Sequence, residues 1–152
     1  MTGHCIARHV AAPREAVFAV ASDFQNAPGR IKAITKLEIL TDGPIRAGTR
    51  FRETRTMMGR AATEEMEITA YDPPRSYTLG GDSCGCRFRT QLRFEEKNGG
   101  TDIVMDFQAQ PLTTMARVMM FLMKPMAKSM MKACAKDLDD IAAHAESNPQ
   151  RR

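Results

Sequence analysis

The sequence contains no tryptophan, and aromatic residues make up only 6% of its 152 positions. No run of lysine and arginine alternates with aromatic side chains, so we expect no nucleic-acid partner. Cysteine is scarce as well, with four residues in the chain. Cys84 and Cys86 are separated by one residue and lack a second cysteine or histidine pair of the kind that zinc sites use. The sequence therefore predicts no metal site and no cofactor, and it predicts reduced thiols.

Long uncharged apolar runs are also missing. The most apolar stretch, residues 118–141, is interrupted by lysines, and no window of about 20 residues lacks charge, which argues against a transmembrane helix. The first residues show no apolar stretch followed by a cleavage site, so we expect no signal peptide and a cytoplasmic protein. A net charge of +4 predicts only a weak attraction to anionic membrane surfaces.

The composition that is present is globular, with 43% hydrophobic and 26% charged residues. This length suits one domain with a real core. No repeat, low-complexity tract or linker divides the chain. We therefore expect a single domain over residues 1–146, a loose tail at 147–152, and a monomer or homodimer.

Hydrophobic periodicity predicts the order strand, two helices, six strands and a long helix. Pro13 suits the first turn of a helix over residues 13–24, and Ile31 and Ile34 suggest a short second helix. Consecutive strands with short turns form an antiparallel sheet, so the fold class is α+β. The strands are expected at residues 4–12, 36–42, 49–57, 61–71, 75–81, 86–96 and 101–110.

The last predicted helix, residues 112–147, is capped by Thr113 or Thr114 and should kink at Pro125. Its apolar stripe is rich in methionine, which is flexible and fits varied apolar partners. The stripe is either ordinary core or the wall of a pocket under the helix. Its members, at helical spacing, are Met115, Val118, Met119, Leu122, Met126, Met130, Ala133, Leu138 and Ile141.

Five segments resemble the START-like, or SRPBCC, superfamily, which includes polyketide cyclase/dehydrase-like proteins. They are "APREAVFAVASD" (12–23), "LEILTDGPIRAGTRFRET" (37–54), "EEMEITAYDPP" (64–74), "GGT" (99–101) and "KDLDDI" (136–141). The resemblance implies a helix-grip fold, in which a curved antiparallel sheet of about seven strands wraps around a long C-terminal helix. Two short helices follow the first strand. Members bind sterols, lipids, hormones and polyketides, so the fold does not fix the activity.

A two-residue turn at Gly59 and Arg60 would set the register of the hairpin over residues 49–71. Met57 would then oppose Ala62, Arg55 would oppose Glu64, and Glu53 would oppose Met66. The face that carries Phe51 and Ile68 is the inner one, so it also carries three charged groups. These groups form either a structural ion-pair cluster or a polar patch that orients a ligand.

We therefore predict that the protein binds or transports a small hydrophobic or amphipathic molecule of lipid, polyketide or aromatic type in a cavity between the sheet and the last helix. Arg55 would orient the ligand with Glu53 and Glu64. The remaining predicted contacts are Phe51, Met57, Met66, Ile68, Tyr77, Phe88, Thr90, Leu92, Met105, Phe107, Met119, Leu122, Met126 and Met130.

Two alternatives remain open. The resemblance implies a possible cyclase/dehydrase-like enzyme, with Glu53 or Glu64 as the acid-base group and Arg55 as the stabiliser of an oxyanion. The apolar run at residues 118–123 leaves Met120 and Phe121 pointing away from the predicted stripe. These two side chains pack under a loop, or they form a contact with a second protein or a membrane.

Overall fold

Alternation of apolar and polar residues produces seven strands in the computed structural model, which describes residues 2–57, 59–83 and 85–147. The strands form one antiparallel sheet in the order β1-β7-β6-β5-β4-β3-β2. Their bounds are β1 Thr2–Val10, β2 Ile34–Ile39, β3 Arg50–Met57, β4 Arg60–Asp72, β5 Ser76–Ser83, β6 Cys86–Lys97 and β7 Gly100–Pro111.

Two short helical segments follow β1, as predicted, but the second lies earlier in the chain than expected. Helix α1 spans Arg14–Ala21, and a 3-10 helix spans Phe24–Gly29. Ile34, which we expected in the second helix, is the first residue of β2. The segment 25–29, which contains Pro28 and Gly29, therefore continues the helical region and does not end it.

The predicted C-terminal helix is divided near Pro125, where a kink was expected. Helix α2 spans Thr114–Leu122, a 3-10 turn spans Lys124–Met126, and helix α3 spans Ala127–Ser147. A proline removes a backbone donor and clashes with the preceding turn, which explains the break. Thr113 is the N-cap of α2, because its Oγ1 accepts a hydrogen bond from the amide of Ala116 at 3.0 Å.

Each hairpin has a register fixed by its turn. Asn98 and Gly99 both have positive φ angles, as a type I′ turn requires, and Lys97 pairs with Gly100. Between β3 and β4 the predicted register is wrong by two residues, since Met57 pairs with Arg60 and not with Ala62. A shift by two keeps every side chain on its predicted face.

The shifted register changes the predicted partners of the charged residues. Glu53 lies opposite Glu64, and Arg55 lies opposite Ala62. The expected pairs of Arg55 with Glu64 and of Glu53 with Met66 are therefore wrong. The inner face assigned from the sequence is unchanged.

The core fills one end of the inner face. Helix α1 and the 3-10 helix after it place Phe18 and Phe24 on the sheet, with ring centroids 5.2 Å from Phe94 and 5.1 Å from Phe51, respectively. Helix α3 packs against β1 and α1 and buries Leu138 there, together with Ile141, Ala142 and Ala145. The predicted tail, residues 147–152, lies outside the described residues except for Ser147.

Candidate functional site

Burial decreases along the inner face of the sheet. On β6, Phe94 and Leu92 are fully buried, whereas Thr90 and Phe88 are half-buried. These four side chains alternate along one strand and therefore point to the same side. The inner face is thus only partly covered at Thr90 and Phe88, between the closed core and Cys86, which is buried at the β5–β6 turn.

The neighbouring strands show the same change at the same level. Register places Leu79 opposite Thr90, and Thr90 opposite Phe107, and all three side chains are half-buried. The rings of Phe88 and Phe107 lie 5.8 Å apart. A half-covered apolar surface therefore crosses several strands. We call this surface the cleft floor, and it consists of Met57, Met66, Leu79, Phe88, Thr90 and Phe107.

Helix α3 carries a second half-buried surface. Its buried stripe contains Asp137, Leu138 and Ile141, and Cys134 packs against the same core. Steps of three and four residues extend this stripe toward the start of the helix, where the side chains become half-buried. The cleft wall therefore consists of Met126, Ala127, Met130, Met131 and Cys134.

A charged cluster lies where the closed core meets this cleft. Arg55 Nη2 is 2.9 Å from Asp137 Oδ2 and 3.4 Å from Glu53 Oε1. The exposed side-chain fractions of Arg55, Glu53 and Asp137 are 18%, 13% and 11%. The two carboxylates come from β3 and α3, so the cluster joins the sheet to the helix.

Burial acts on the pKa of three groups here, Asp137, Arg55 and Cys134. It raises the pKa of Asp137 above the ordinary aspartate value, although Arg55 acts in the opposite direction. Burial also disfavours the charge of Arg55, yet the carboxylates of Glu53 and Asp137 together hold the pKa of Arg55 above its usual value. Burial raises the pKa of the Cys134 thiol as well, which makes it a poor nucleophile.

Tyr77 is a structural group of the core. Its hydroxyl donates a hydrogen bond to the carbonyl of Ala21 at 3.2 Å, and burial raises the pKa of this phenol. The side chain also contacts the rings of Phe18 and Phe24 at centroid distances of 6.0 Å and 5.3 Å. Tyr77 therefore anchors α1 on the sheet below the cleft.

The guanidinium of Arg55 is only partly used by the protein. Both of its protein acceptors are reached through Nη2, and among the described residues Nε and Nη1 have none. Glu53 alone is enough to neutralise Arg55, so the cluster carries no net positive charge, whether or not Asp137 is ionised. The site can donate hydrogen bonds without attracting an anion strongly.

The structure divides the predicted ligand contacts into three groups. Five side chains are buried in the closed core: Phe51, Ile68, Tyr77, Leu92 and Met105. Nine half-buried side chains lie on the inner face of the sheet or along the α3 wall: Glu53, Arg55, Met57, Met66, Phe88, Thr90, Phe107, Met126 and Met130. Three are exposed: Glu64, Met119 and Leu122.

Glu64 is the predicted charged residue that does not join the cluster. It accepts a hydrogen bond from Ser83 Oγ at 3.4 Å and, within the part of the chain that the structure describes, forms no ion pair. Asp137 takes the expected place of Glu64. The signal for Asp137 was present in the sequence, because it interrupts the apolar positions Cys134, Leu138 and Ile141 at helical spacing.

The methionine stripe also differs from the prediction in its first part. Met115, Val118, Met119 and Leu122 were expected against the sheet, but they are 78%, 53%, 53% and 65% exposed. Ala116, which was not part of the predicted stripe, is the buried residue of α2. An ideal Cβ at Gly85 would lie 3.2 Å from the Ala116 Cβ, so α2 rests on the β5–β6 turn.

The molecule has two open surface pockets, and the second of them is lined in part by Met66 and Phe88 of the cleft floor. One, of about 430 Å³, is lined by residues of the β1–α1 and β6–β7 connections, including His9 and Asn98. The other, of about 560 Å³, lies where Gly80 and Gly81 thin the sheet, beside Arg50 and Arg89. Neither pocket includes Arg55.

His9 Nδ1 lies 2.6 Å from Asp102 Oδ1 at the first of these pockets. Among the described residues, no group of three or more His, Cys, Asp or Glu side chains is arranged to hold a metal ion. None of the described helices is long and apolar enough to cross a membrane.

Solved structures with the same architecture come from bacteria and plants. The protein TTHA0849 of Thermus thermophilus matches with 18% identity and a TM-score of 0.77, over 95% of this chain and 97% of that one. The Zhui aromatase/cyclase of Streptomyces sp. R1128 matches with 17% identity and a TM-score of 0.73, over 95% and 93%. The ginseng major latex-like protein 151 of Panax ginseng matches with 12% identity and a TM-score of 0.78, over 95% and 97%.

These matches confirm the helix-grip fold expected from the sequence. No curated protein sequence matches the chain. A family model described as "polyketide cyclase / dehydrase and lipid transport" matches residues 6–146, which include every strand except the first residues of β1. The chain belongs to this family of polyketide cyclase/dehydrase and lipid transport proteins.

Proposed function

We propose that the protein binds a small, largely apolar and electrically neutral molecule in the cleft between the sheet and α3. One observation carries the proposal: a half-covered apolar surface ends at Arg55, whose Nε and Nη1 have no acceptor among the described residues. Binding sites for small molecules typically combine apolar walls with a few convergent polar groups. The cleft floor, the cleft wall and Arg55 have this composition.

The charges of the cluster define the polar end of the ligand. Because Glu53 already neutralises Arg55 and Asp137 adds a second acid, a carboxylate would meet no net attraction. A ketone, ester or hydroxyl oxygen can accept a hydrogen bond from Nε or Nη1 without bringing a further negative charge to the two acids. We therefore favour a carbonyl- or hydroxyl-bearing polyketide, aromatic compound or lipid over a fatty acid.

The methionines of the cleft suit a ligand whose shape varies. Met57 and Met66 lie on the floor, and Met126, Met130 and Met131 lie on the wall. Unbranched thioether side chains change rotamer readily and pack against aromatic rings. The family description, which joins polyketide cyclases with lipid transport, supports a ligand of this kind.

A matched pair of aromatic probes tests the polarity of the site. 2-Acetonaphthone and 2-naphthoate have nearly the same shape, but only the second is charged at pH 7. Titration calorimetry should show that the ketone binds at least about tenfold more tightly than the carboxylate. Tighter binding of 2-naphthoate would contradict the proposal that the ligand is electrically neutral.

Variants then test the role of Arg55. Arg55→Gln should weaken binding of 2-acetonaphthone by about tenfold, since it removes a charge-assisted hydrogen bond. Arg52→Gln, on the same strand but on the outer face, is the control and should bind as the parent protein does. If Arg55→Gln does not fold, Phe88→Ala tests the apolar floor, and unchanged ketone affinity in that variant would exclude the cleft.

A second candidate is acid-base catalysis of the cyclase/dehydrase type. The observation that favours it is the raised pKa of the Asp137 carboxyl beside Arg55, because a carboxyl group with a raised pKa can exchange protons nearer neutral pH. Asp137 or Glu53 would take a proton next to a ligand carbonyl, and Arg55 would stabilise the enolate oxygen. Asp137→Asn should then abolish turnover of a poly-β-ketone but retain binding of 2-acetonaphthone.

A further inference from the structure

Helix α2 exposes an unusual amount of apolar surface. Of the eight large hydrophobic side chains that are exposed among the described residues, six lie in residues 115–123 and a seventh, Leu112, comes just before them. In addition to the four exposed members of the predicted stripe, Phe121 is 72% exposed and Met123 is 47% exposed. Such a patch on a short segment is typical of an interaction surface.

The exposed side chains surround more than half of the helix. At about 100° per residue, the positions from Phe121 through Met115 to Met123 cover an arc of roughly 200°. Only Ala116 is buried and only Met120 is half-buried, on the side that rests on the protein. Thr113 caps the helix, so the arc is presented by an ordered element.

The charged residues along this segment of the chain have one sign. Residues 107–136 contain no aspartate or glutamate, but they contain five basic residues, all of them exposed. None of the five forms an ion pair with another described residue, and Asp82 on the adjacent hairpin is paired with Arg87 at 3.0 Å. The basic residues are Arg117, Lys124, Lys128, Lys132 and Lys136.

We propose that α2 is a docking helix that inserts its apolar arc into the surface of an anionic lipid bilayer. Helices that lie in a membrane interface combine a wide apolar face with lysine and arginine beside it. Arg117 lies on α2 beside Phe121, Lys124 directly follows the arc in the chain, and Lys128 comes four residues later. These basic side chains would contact lipid phosphates. Nine residues rise only about 13 Å, so the helix lies along the surface of the bilayer.

Charge distinguishes the bilayer from a second copy of the chain. Two α2 helices facing each other would bring two sets of five unpaired basic residues together, which is unfavourable. An anionic bilayer neutralises them, at about 1 kcal/mol per basic residue near the surface, or roughly fivefold in affinity for each. Docking of this surface requires no ligand and does not depend on the proposed function.

Vesicle co-sedimentation tests this surface. The protein should bind vesicles of phosphatidylcholine and phosphatidylserine (3:1) at least about tenfold more strongly than vesicles of phosphatidylcholine alone, and about 0.5 M NaCl should reduce the binding. The double variant Phe121→Ser/Leu122→Ser should lose at least about tenfold in affinity for the mixed vesicles. Lys124→Gln/Lys128→Gln should also bind more weakly.

Leu40→Ser is the matched control, because Leu40 is exposed on the β2–β3 connection at the opposite end of the sheet. This variant should bind the mixed vesicles as the parent protein does. No binding, equal binding to both vesicle types, or undiminished binding by Phe121→Ser/Leu122→Ser would overturn the proposal. A dimer in sedimentation equilibrium that this double variant dissociates would assign the surface to a second copy and would also overturn it.

Discussion

At the scale of single residues, the charged cluster is defined by competition between burial and pairing. Asp137 is buried on α3 and meets Arg55 at 2.9 Å, yet burial still raises the pKa of Asp137. The ionised form of such a carboxyl is less favourable in the folded protein than in water. Its contribution to the free energy of unfolding therefore falls as the pH rises, whereas the contribution of a carboxylate in a surface ion pair increases.

Asp137→Asn should reveal this dependence. With a folded pKa above the unfolded value, the native protein binds more protons than the unfolded chain in the window between these two pKa values, which begins near about pH 4. Across that window this group lowers the free energy of unfolding as the pH rises. Urea unfolding from about pH 4 to about pH 7 should show the variant gaining stability relative to the parent protein.

The matched control for this measurement is Asp139→Asn. Asp139 is 59% exposed and pairs with Arg8 at 2.8 Å, so its removal should change stability little. If the free energy of unfolding depends on pH in the same way for Asp137→Asn and for the parent protein, burial does not raise the pKa of Asp137.

The residue types of the cluster could be predicted from the sequence only in part. Glu53 and Arg55 follow from the alternation of β3, because parity alone places them beside Phe51. Glu64 was expected with them, but near the hairpin end the sheet is uncovered and Glu64 faces solvent. Asp137 could not be assigned to the cluster because its contact with Arg55 spans 82 positions of sequence.

At the scale of secondary-structure elements, β6 joins two environments. Its inner side chains go from closed core at Phe94 to half-open cleft at Phe88. A strand that only supported a core would be buried along this whole face. The change in burial along one strand therefore separates side chains of the closed core from side chains that are available to the proposed ligand.

Alanine substitutions on β6 should show this separation. Phe94→Ala should cost about 3–5 kcal/mol in the free energy of unfolding, because it opens a cavity in a filled core. Phe88→Ala should cost about 1–2 kcal/mol, since its ring is already partly exposed. Urea denaturation measures both values, and equal costs would show that the face is closed along its full length.

The helices show where periodicity succeeds and where it fails. The stripe from Met126 to Ile141 is on the predicted side of α3, and the break at Pro125 occurs where a kink was expected. The same stripe fails in α2, because a 3-10 turn separates α2 from α3 and a periodic pattern carries no information across that break. The small residues Ala116 and Gly85, and not the large ones, form the contact with the sheet.

At the scale of the whole molecule, the sequence predicted the architecture better than the extent of the cavity. The order of elements along the chain, the antiparallel sheet and the family follow from alternation and from motifs that extend over most of the chain. How far α1 and the 3-10 helix fill the inner face depends on the packing of Phe18 and Phe24 across the sheet. That packing removes five predicted contacts from the cleft and leaves the half-open part near Arg55.

The central claim is that a neutral apolar ligand enters between the sheet and α3, and methionine provides the probes to test it. The chain has 12 methionines, and their ¹³C-labelled methyl groups can be followed by NMR during titration with 2-acetonaphthone. We predict that the signals of Met57, Met66, Met126 and Met130 shift and that Met115, exposed on α2, does not. Shifts confined to Met115 and Met119, or no shift at saturating ketone, would contradict the account.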